Sequence, residues 1–285
     1  MPASSPKSAV LNNENGWGKD DMLRRNEVFI NPVKERLLKK EPTIGAWLQA
    51  ANSVTAEVMA KAGFDWLMVD MEHGPGDFMT LLQQLQAVNA YPVVPFARAP
   101  WNDFVTIKRL LDIGVQGLLV PYVNSAEEAV NAVKACKYPP QGIRGIAPSP
   151  RAGGFGMNGQ GYLSRANDEI VVMVAIETPQ AAEQIDDFLA VEGLDGIFIG
   201  PMDLATSMGC FCNPAAPAVR ETIARIEKKV LASKKFLGTV AGDFHAAQAL
   251  YGRGYSFVAA MSDTTSLGKL AIQTVDAFMD AYRKG

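Results

Sequence analysis

The sequence predicts a (β/α)8 barrel, an α/β fold in which parallel strands alternate with helices. From residue 43 onward, short apolar runs rich in β-branched residues alternate with segments of helical periodicity. Eight such runs occupy a span close to the ~250 residues typical of this fold. Glycines that would end helices stand shortly before four of the runs, at Gly63, Gly114, Gly193 and Gly254. No GxGxxG motif follows a run, so a doubly wound nucleotide-binding sheet is disfavoured.

The predicted strands are bounded by turn-forming residues and separated by stretches long enough for a helix. The first four read IGAWL, WLMV, VVPFA and GLLVP, at residues 44–48, 66–69, 93–97 and 117–121. The last four read VVMVAI, GIFI, FLGTV and SFVAA, at residues 171–176, 196–199, 236–240 and 256–260. We therefore expect residues 26–285 to form a single barrel domain with an additional C-terminal helix. The polar residues 1–25 are predicted to be a flexible extension.

The composition is that of a globular protein and narrows the possible partners. A net charge of -3 over 285 residues gives no basic surface for nucleic acid, so none is expected. No apolar stretch reaches the ~18 residues of a membrane span, so no membrane partner is expected either. The three cysteines form neither a disulfide framework nor a zinc-binding pair, which favours a cytoplasmic location.

Polar residues follow most of the predicted strands, at the end of the barrel where active sites lie. The segment Asp70-Met71-Glu72-His73-Gly74 is the most informative, because it sets one of only two histidines beside two carboxylates. His73 is a candidate general base, although a histidine after a strand is also often a hydrogen-bonded loop residue. The other candidates at this mouth are Gln49, Arg98, Glu177, Asp203, Ser262 and Asp263. A base, a guanidinium and several carboxylates on one rim together indicate catalysis.

Two of these carboxylates follow consecutive strands and are candidate metal ligands. Because adjacent strands stand about 4.8 Å apart, Glu177 and Asp203 can close on one hard divalent cation such as Mg²⁺, Mn²⁺ or Co²⁺. The alternative is a pair of solvated rim acids, or an acid with an arginine partner. The turn Gly200-Pro201-Met202-Asp203 opens a predicted helix, whose free backbone amides suit a substrate carboxylate. A chelating 2-oxo acid such as pyruvate fits both features.

A proton removed beside a ketone leaves an enolate, whose charge must be stabilised by a metal or by a protonated imine on lysine. None of the predicted strands carries a lysine, and Lys234 and Lys235 precede the seventh strand, at the wrong end of the barrel. The metal route is therefore favoured. Arg98 could stabilise the enolate, or the alkoxide that forms from an incoming carbonyl, although arginines also make ordinary rim ion pairs.

Six spaced motifs carry a resemblance to a known family. They read DMEHG, PFARAP, LLDIG, YPPQGIRG, AIETPQA and GPMDLATSMG, in this order. With them, residues 33–269 resemble the HpcH/HpaI family of metal-dependent class II pyruvate aldolases. The resemblance implies a barrel of the phosphoenolpyruvate/pyruvate-binding type and a reaction through a pyruvate enolate.

The family's functional residues fall on positions that the strand ends also indicate. The resemblance places the general base at His73 and the transition-state arginine at Arg98. It places the metal ligands at Glu177 and Asp203. It also places pyruvate contacts at the Asp203 side chain and the Met202 backbone, in the turn that begins at Gly200.

The resemblance also assigns an aspartate that raises the basicity of the histidine, and its LD-x-G motif places this residue at Asp112. An acid at the end of a helix should lie on the barrel face opposite the active site, where it needs a partner. Our hypothesis is that Asp112 reaches His73 of a neighbouring subunit. The protein is then a homo-oligomer, as the family's hexamers and trimers imply.

Two features extend or depart from this pattern. Many family members have a glutamine that contacts pyruvate two residues before the glutamate ligand, and this chain has Ala175 there. The substrate that supplies the enolate would then be held more loosely, or a larger one such as oxaloacetate would fit. The segment 138–168, with Arg144 and Arg151, is interpreted as an active-site flap, or alternatively as a surface loop or subunit contact.

The sequence therefore predicts a carbon-carbon lyase that makes or breaks 4-hydroxy-2-oxo acids from pyruvate and an aldehyde, with oxaloacetate decarboxylation as a side activity. One alternative is a decarboxylase similar to macrophomate synthase, a divergent fungal family member, that traps the enolate with a larger acceptor. Another alternative, of a different class, is a non-catalytic barrel that binds 2-oxo acids.

Overall fold

The computed structural model describes residues 28–157 and 159–283, within which eight parallel strands close into a barrel. The strands follow one another in chain order, and the last pairs with the first. They are β1 (Thr43–Leu48), β2 (Trp66–Asp70), β3 (Val94–Arg98), β4 (Gly117–Val120), β5 (Val171–Ile176), β6 (Gly196–Ile199), β7 (Phe236–Val240) and β8 (Phe257–Ser262). The predicted barrel is confirmed, whereas the predicted extension at residues 1–25 lies outside the described residues.

Helices connect the strands on the outside of the barrel, and one further helix precedes β1 and another follows β8. The first part of the chain contains α1 (Pro32–Leu38), α2 (Ser53–Lys61), α3 (Phe78–Val88), α4 (Phe104–Ile113), α5 (Ala126–Cys136), a 3-10 helix (Arg151–Gly156), α6 (Gly159–Leu163) and α7 (Ala166–Glu169). The second part contains α8 (Pro179–Glu183), α9 (Ile185–Ala190), α10 (Pro201–Ser207), α11 (Pro217–Ala232), α12 (Phe244–Gly252) and α13 (Asp263–Tyr282). No described helix has both the length and the apolar character needed to cross a bilayer.

Three strands run further than predicted, so that Asp70, Arg98 and Ser262 end strands rather than follow them. The cause is visible between β2 and β3. Asp70 and Arg98 lie opposite each other in the strand register and form an ion pair, which satisfies two charged side chains inside a sheet. A pattern search that ends a strand at its last apolar residue misses such a pair.

Large aromatic side chains fill the inside of the barrel. Trp66 stacks on Phe257 with ring centroids 3.7 Å apart, and Phe96 packs beside both rings. Glycines on neighbouring strands make this filling possible, because a Cβ on Gly45 or Gly117 would lie 2.1 Å from the ring of Trp66 or Phe96. The interior is therefore a packed core without room for a ligand, so a binding site has to lie at an end of the barrel.

The segment that follows α5 lies at the amino-terminal end of the barrel. Nη1 of Arg151 donates to the carbonyl of Ile113, the last residue of α4, at 2.9 Å. Arg144 is buried and pairs with Asp112 in the last turn of the same helix. Because helices of this fold end at the face opposite the active site, the interpretation of residues 138–168 as a flap over the chain's own site is wrong.

The predicted C-terminal helix is present as α13 and stands away from the barrel. Asp263 at its start is buried and accepts hydrogen bonds from the backbone N–H groups of Gln49 and Ala50, at 2.8 and 3.2 Å. Beyond this attachment its apolar side chains are exposed, namely Leu267, Leu270, Ile272, Val275, Phe278 and Met279. An exposed apolar face of this extent is unusual for a monomeric protein.

Candidate active site

An arginine–aspartate pair joins the ends of β2 and β3 at the mouth of the barrel. Nη2 of Arg98 lies 2.6 Å from Oδ2 of Asp70, and its Nε lies 3.0 Å from Oδ1. Nη1 faces Glu72, with 3.0 Å to Oε2. The guanidinium lies over the ring of Trp47, which is buried below it. Arg98 is thereby held in one orientation, with Nη1 directed to the side on which the other acids lie.

Asp70 is the structural centre of this part of the site. Besides Arg98, it accepts from Nε2 of Gln49 at 2.9 Å and from the backbone N–H of His73 at 3.2 Å. Burial raises the pKa of Asp70, but the hydrogen bond and charge of Arg98 outweigh it and hold this pKa below its ordinary value. Oε1 of Gln49 in turn accepts from Ser262 at 2.7 Å. The carboxylate therefore stays ionised and fixes the loop that carries His73.

His73 lies at this mouth with an exposed ring. Its side chain is 63% exposed, and its Nε2 lies 3.8 Å from Oε2 of Glu72. Burial raises the pKa of Glu72 above its ordinary value, and the neighbouring Arg98 offsets this only in part. An exposed imidazole is accessible to a substrate. Among the described residues, no carboxylate forms a hydrogen bond that would orient the ring.

Glu177 follows β5 and is a buried carboxylate. Its Oε2 accepts the backbone N–H of Tyr122 at 2.8 Å. Burial raises the pKa of Glu177 to about 7, and the charges of Asp203 and Glu72 add to the rise against the effect of the Tyr122 N–H. Three carboxylates are therefore close enough to repel one another, and such repulsion is relieved by a cation.

Asp203 lies in the first turn of α10, whose start is Gly200 and Pro201. The side chains of Met202 and Asp203 are exposed at the mouth. The first turn of a helix leaves backbone N–H groups without partners in the helix, so those of Met202 and Asp203 can receive an anion. The structure thus brings the predicted substrate amides and both predicted metal ligands to one place.

Gly200 makes room for the glutamate. A Cβ at this position would lie 2.7 Å from Cγ and 2.8 Å from Oε1 of Glu177. The backbone of Gly200 has φ of -92°, which any residue adopts, so the requirement for glycine is steric. The carboxylate of Glu177 and the turn that carries Asp203 are therefore packed directly against each other.

These donors fit a hard divalent cation. Two carboxylates and water are a common ligand set for such ions, which keep several water ligands. Among residues 28–157 and 159–283, no group of three or more histidine, cysteine, aspartate or glutamate side chains could hold a metal ion by itself. The site is therefore of the open kind, in which water or substrate supplies the remaining ligands.

We predict that Gly200→Ala weakens cation binding without unfolding the protein. The added methyl group pushes the Glu177 carboxylate away from Asp203, and displaced supports of metal ligands typically cost about 10- to 100-fold in affinity. Titration of the metal-free protein with Mn²⁺ measures the change. Gly242→Ala is the matched control, because a Cβ there meets nothing within 4 Å. Equal affinities in the two variants would contradict the steric argument.

Two sequence-derived candidates lie outside this cluster of charged residues, Asp112 at the opposite end of the barrel and Ala175 in the barrel interior. Oδ1 of Asp112 accepts from Nη2 of Arg144 at 2.8 Å at the amino-terminal end of the barrel, far from the chain's own His73. The expected position is thus correct, and the buried Arg144 is the partner of this half-buried acid. Ala175 is fully buried beside Phe198 in the barrel interior, so its position is apolar where many family members have an amide.

Tyr122 is a residue of the site that the sequence does not single out. It follows β4, and its backbone N–H is the hydrogen-bond donor to Glu177. The rule that residues after each strand form the active site applies to it, but the residue belongs to an apolar run without a charged neighbour. Trp101, three residues after β3, stacks on Tyr122 and is likewise not among the predicted site residues, because it is itself uncharged.

With its charged residues gathered at one mouth, the fold is that of a TIM-barrel enzyme. The chain belongs to the HpcH/HpaI family: the family model described as HpcH/HpaI aldolase/citrate lyase matches residues 43–269. A 4-hydroxy-2-oxo-heptane-1,7-dioate aldolase of Salmonella dublin is 44% identical over 239 residues, which cover 84% of this chain and 91% of that protein. The enzyme of the same name from Escherichia coli is 43% identical over 241 residues, 85% of this chain and 92% of that protein.

Solved structures agree with this assignment. A HpcH/HpaI aldolase/citrate lyase family protein from Burkholderia cenocepacia superposes with a TM-score of 0.84 at 33% identity, covering 87% of this chain and 99% of that one. Macrophomate synthase superposes with a TM-score of 0.77 at 21% identity, covering 88% and 89%, and shows the shared fold alone. The resemblance inferred from the six motifs is confirmed.

Proposed function

We propose that this protein is a divalent-metal-dependent aldolase that makes or breaks 4-hydroxy-2-oxo acids, with pyruvate as the enolate partner and an aldehyde as the other product. The observation that carries the proposal is the packing of the Glu177 carboxylate against Gly200, in the turn that carries Asp203, beside the fixed Arg98. The aldolase names of relatives that are 44% and 43% identical to the chain over 239 and 241 residues support it.

Glu177 and Asp203 would hold the cation, which when bound supplies positive charge to stabilise an enolate. The N–H groups of Met202 and Asp203 would bind the carboxylate of the 2-oxo acid. In cleavage, His73 accepts the proton of the C4 hydroxyl, the C3–C4 bond breaks, and its electron pair remains on the pyruvate fragment as the enolate. Protonation of C3 then yields pyruvate. Nη1 of Arg98, which lies 3.0 Å from Oε2 of Glu72, would be the donor to the oxygen on which charge changes.

A lysine imine is disfavoured by the position of the lysines. No strand of the described barrel carries one. Nζ of Lys235 donates to the carbonyls of Val191 and Leu194 at 2.8 and 2.7 Å, at the amino-terminal end of β6. The carboxylate pair at the opposite end would hold a cation, and the positive charge of this cation would stabilise the enolate.

The same site should decarboxylate oxaloacetate, because loss of CO₂ from this acid leaves the same enolate. Ala175 is apolar and offers no side-chain amide to the 2-oxo acid. Pyruvate would therefore be held by the helix amides and the cation alone. We therefore expect pyruvate to be held weakly, with a high KM.

Removal and return of the cation tests the proposal. We expect chelator-treated protein to lose oxaloacetate decarboxylation and aldol cleavage together, and Mg²⁺, Mn²⁺ or Co²⁺ to restore both. Initial rates with each ion also show which one serves best, and the KM for pyruvate tests the expected weak binding. Absence of turnover with all three ions would favour a non-catalytic barrel that binds 2-oxo acids.

We further propose that the protein is a homo-oligomer of the trimeric or hexameric kind, in which α13 packs on a second copy. Next to the start of α13, an open groove of about 550 Å³ is lined by Ile44, Phe64, Phe244 and Met261. The exposed apolar face of α13 is complementary to such a groove. Sedimentation of the full chain as an active monomer would overturn this. A cytoplasmic location remains a prediction, supported by the three free cysteines among the described residues.

A further inference from the structure

Two exposed aromatic rings stack on each other at the mouth of the barrel. Trp101 and Tyr122 have ring centroids 5.9 Å apart and an angle of 26° between their planes. They remain 56% and 46% exposed. Trp101 belongs to the loop after β3 and Tyr122 to the loop after β4, so both lie at the end of the barrel that holds the carboxylates.

Tyr122 is tied directly to the candidate metal site. Its N–H donates to Oε2 of Glu177 at 2.8 Å. Its carbonyl accepts from Nδ2 of Asn124 at 3.0 Å, and Asn124 accepts in turn from the hydroxyl of Thr178 at 2.5 Å. Tyr122 has φ of 52°, a left-handed conformation that is unfavourable for a bulky residue and persists only where its surroundings hold it. The backbone that carries the ring is thus held in a fixed position, one hydrogen bond from Glu177.

A groove begins at Tyr122 and contains no charge. Its volume is about 520 Å³, and the other residues that line it are Asn124, Thr178, Pro179, Gln180 and Ser207. All six side chains are uncharged. A carboxylate that entered this groove would lose water and gain no cationic partner from its lining, which is costly. Flat apolar groups, in contrast, gain by covering the exposed rings.

We infer that the Trp101–Tyr122 pair and this groove bind the acceptor, and that the acceptor is an uncharged aldehyde with an aromatic ring. The inference rests on the proposed function, because the aldehyde must meet the enolate beside Glu177. It also separates this chain from its relatives. The name heptane-1,7-dioate implies a second carboxylate at the far end of their substrate, which remains on the aldehyde fragment after cleavage.

Aldol addition to pyruvate with different aldehydes tests the inference. With the metal-loaded full chain, we expect kcat/KM for benzaldehyde to exceed that for succinic semialdehyde by about tenfold. We expect Trp101→Ala to lower the ratio of kcat/KM for benzaldehyde to that for acetaldehyde about tenfold. Trp101→Phe keeps a ring in place and should restore most of this ratio. Thermal melting of both variants shows whether they fold alike.

Three results would overturn the inference. One is a preference of the wild type for succinic semialdehyde. Another is an equal fall in kcat/KM for benzaldehyde and acetaldehyde in Trp101→Ala, which would assign the pair to support of the metal site. The third is a smaller oligomer in Trp101→Ala, which would make the pair a subunit contact. Oxaloacetate decarboxylation needs no acceptor, so its presence without an aromatic preference defeats this inference alone, whereas its absence with every cation defeats the proposed function.

Discussion

Replacing Glu177 with glutamine is expected to lower aldol cleavage and oxaloacetate decarboxylation about 10³-fold, because a bound cation supplies several kcal/mol to the transition state. Glutamine keeps the size of the side chain in the space beside Gly200 and the hydrogen bond with the Tyr122 N–H, and only the charge is lost. Initial rates at saturating Mn²⁺, together with the Mn²⁺ affinity, measure the effect.

The pH dependence of cation binding sharpens this prediction. Burial raises the pKa of Glu177 to about 7, so in the wild type a proton competes with the cation below that pH. Affinity should therefore rise as the pH increases through 7 and level off above it. Glu177→Gln removes this part of the dependence, because the amide does not titrate. Glu183→Gln, an exposed glutamate on α8, is the control and should behave as the wild type. Retained turnover in Glu177→Gln would refute the assignment of the ligand.

The barrel could be predicted from the sequence because its strands are nearly all apolar, and five of the predicted starts match the structure. The site could be predicted in part, because charged side chains at strand ends stand out against those runs. The Asp70–Arg98 register pair could not, since it depends on which residues face each other across two strands. Likewise, the steric need for Gly200 depends on a carboxylate 23 positions earlier in the chain.

The flap was misplaced for a reason that the alternation of elements could have corrected. A helix of the barrel starts at the mouth and ends at the opposite face, so residues after α5 begin at the amino-terminal end. The guanidinium of Arg151, bound to the carbonyl at the end of α4, shows this directly. The motifs in residues 138–168 suggested an active-site loop. The order of helices and strands, however, determines at which end of the barrel a loop lies. Within one chain, Arg151 and Asp112 therefore belong to the face remote from His73.

That separation leads to the second large effect, which concerns Asp112. A general base contributes about 10²- to 10⁴-fold to a reaction, so His73→Ala should lose activity in this range. If Asp112 orients His73 of a neighbouring subunit, Asp112→Asn should lose most of it as well. Asparagine still accepts the hydrogen bond of the buried Arg144, so the variant leaves that guanidinium partnered. The exposed ring of His73, which has Glu72 3.8 Å away, has room for such a contact.

Mixing the two variants distinguishes this arrangement from one within a single chain. When His73→Ala and Asp112→Asn subunits exchange into mixed oligomers, about a quarter of the sites combine an intact His73 with an intact Asp112 from the next subunit. Activity should then rise well above that of either variant alone. Mixing His73→Ala with Glu177→Gln is the control and should give no recovery, because both residues belong to the same chain's mouth. An absence of recovery in the first mixture, with subunit exchange verified by mass spectrometry, would place the role of Asp112 in its own barrel, where the Arg144 ion pair makes it a structural residue.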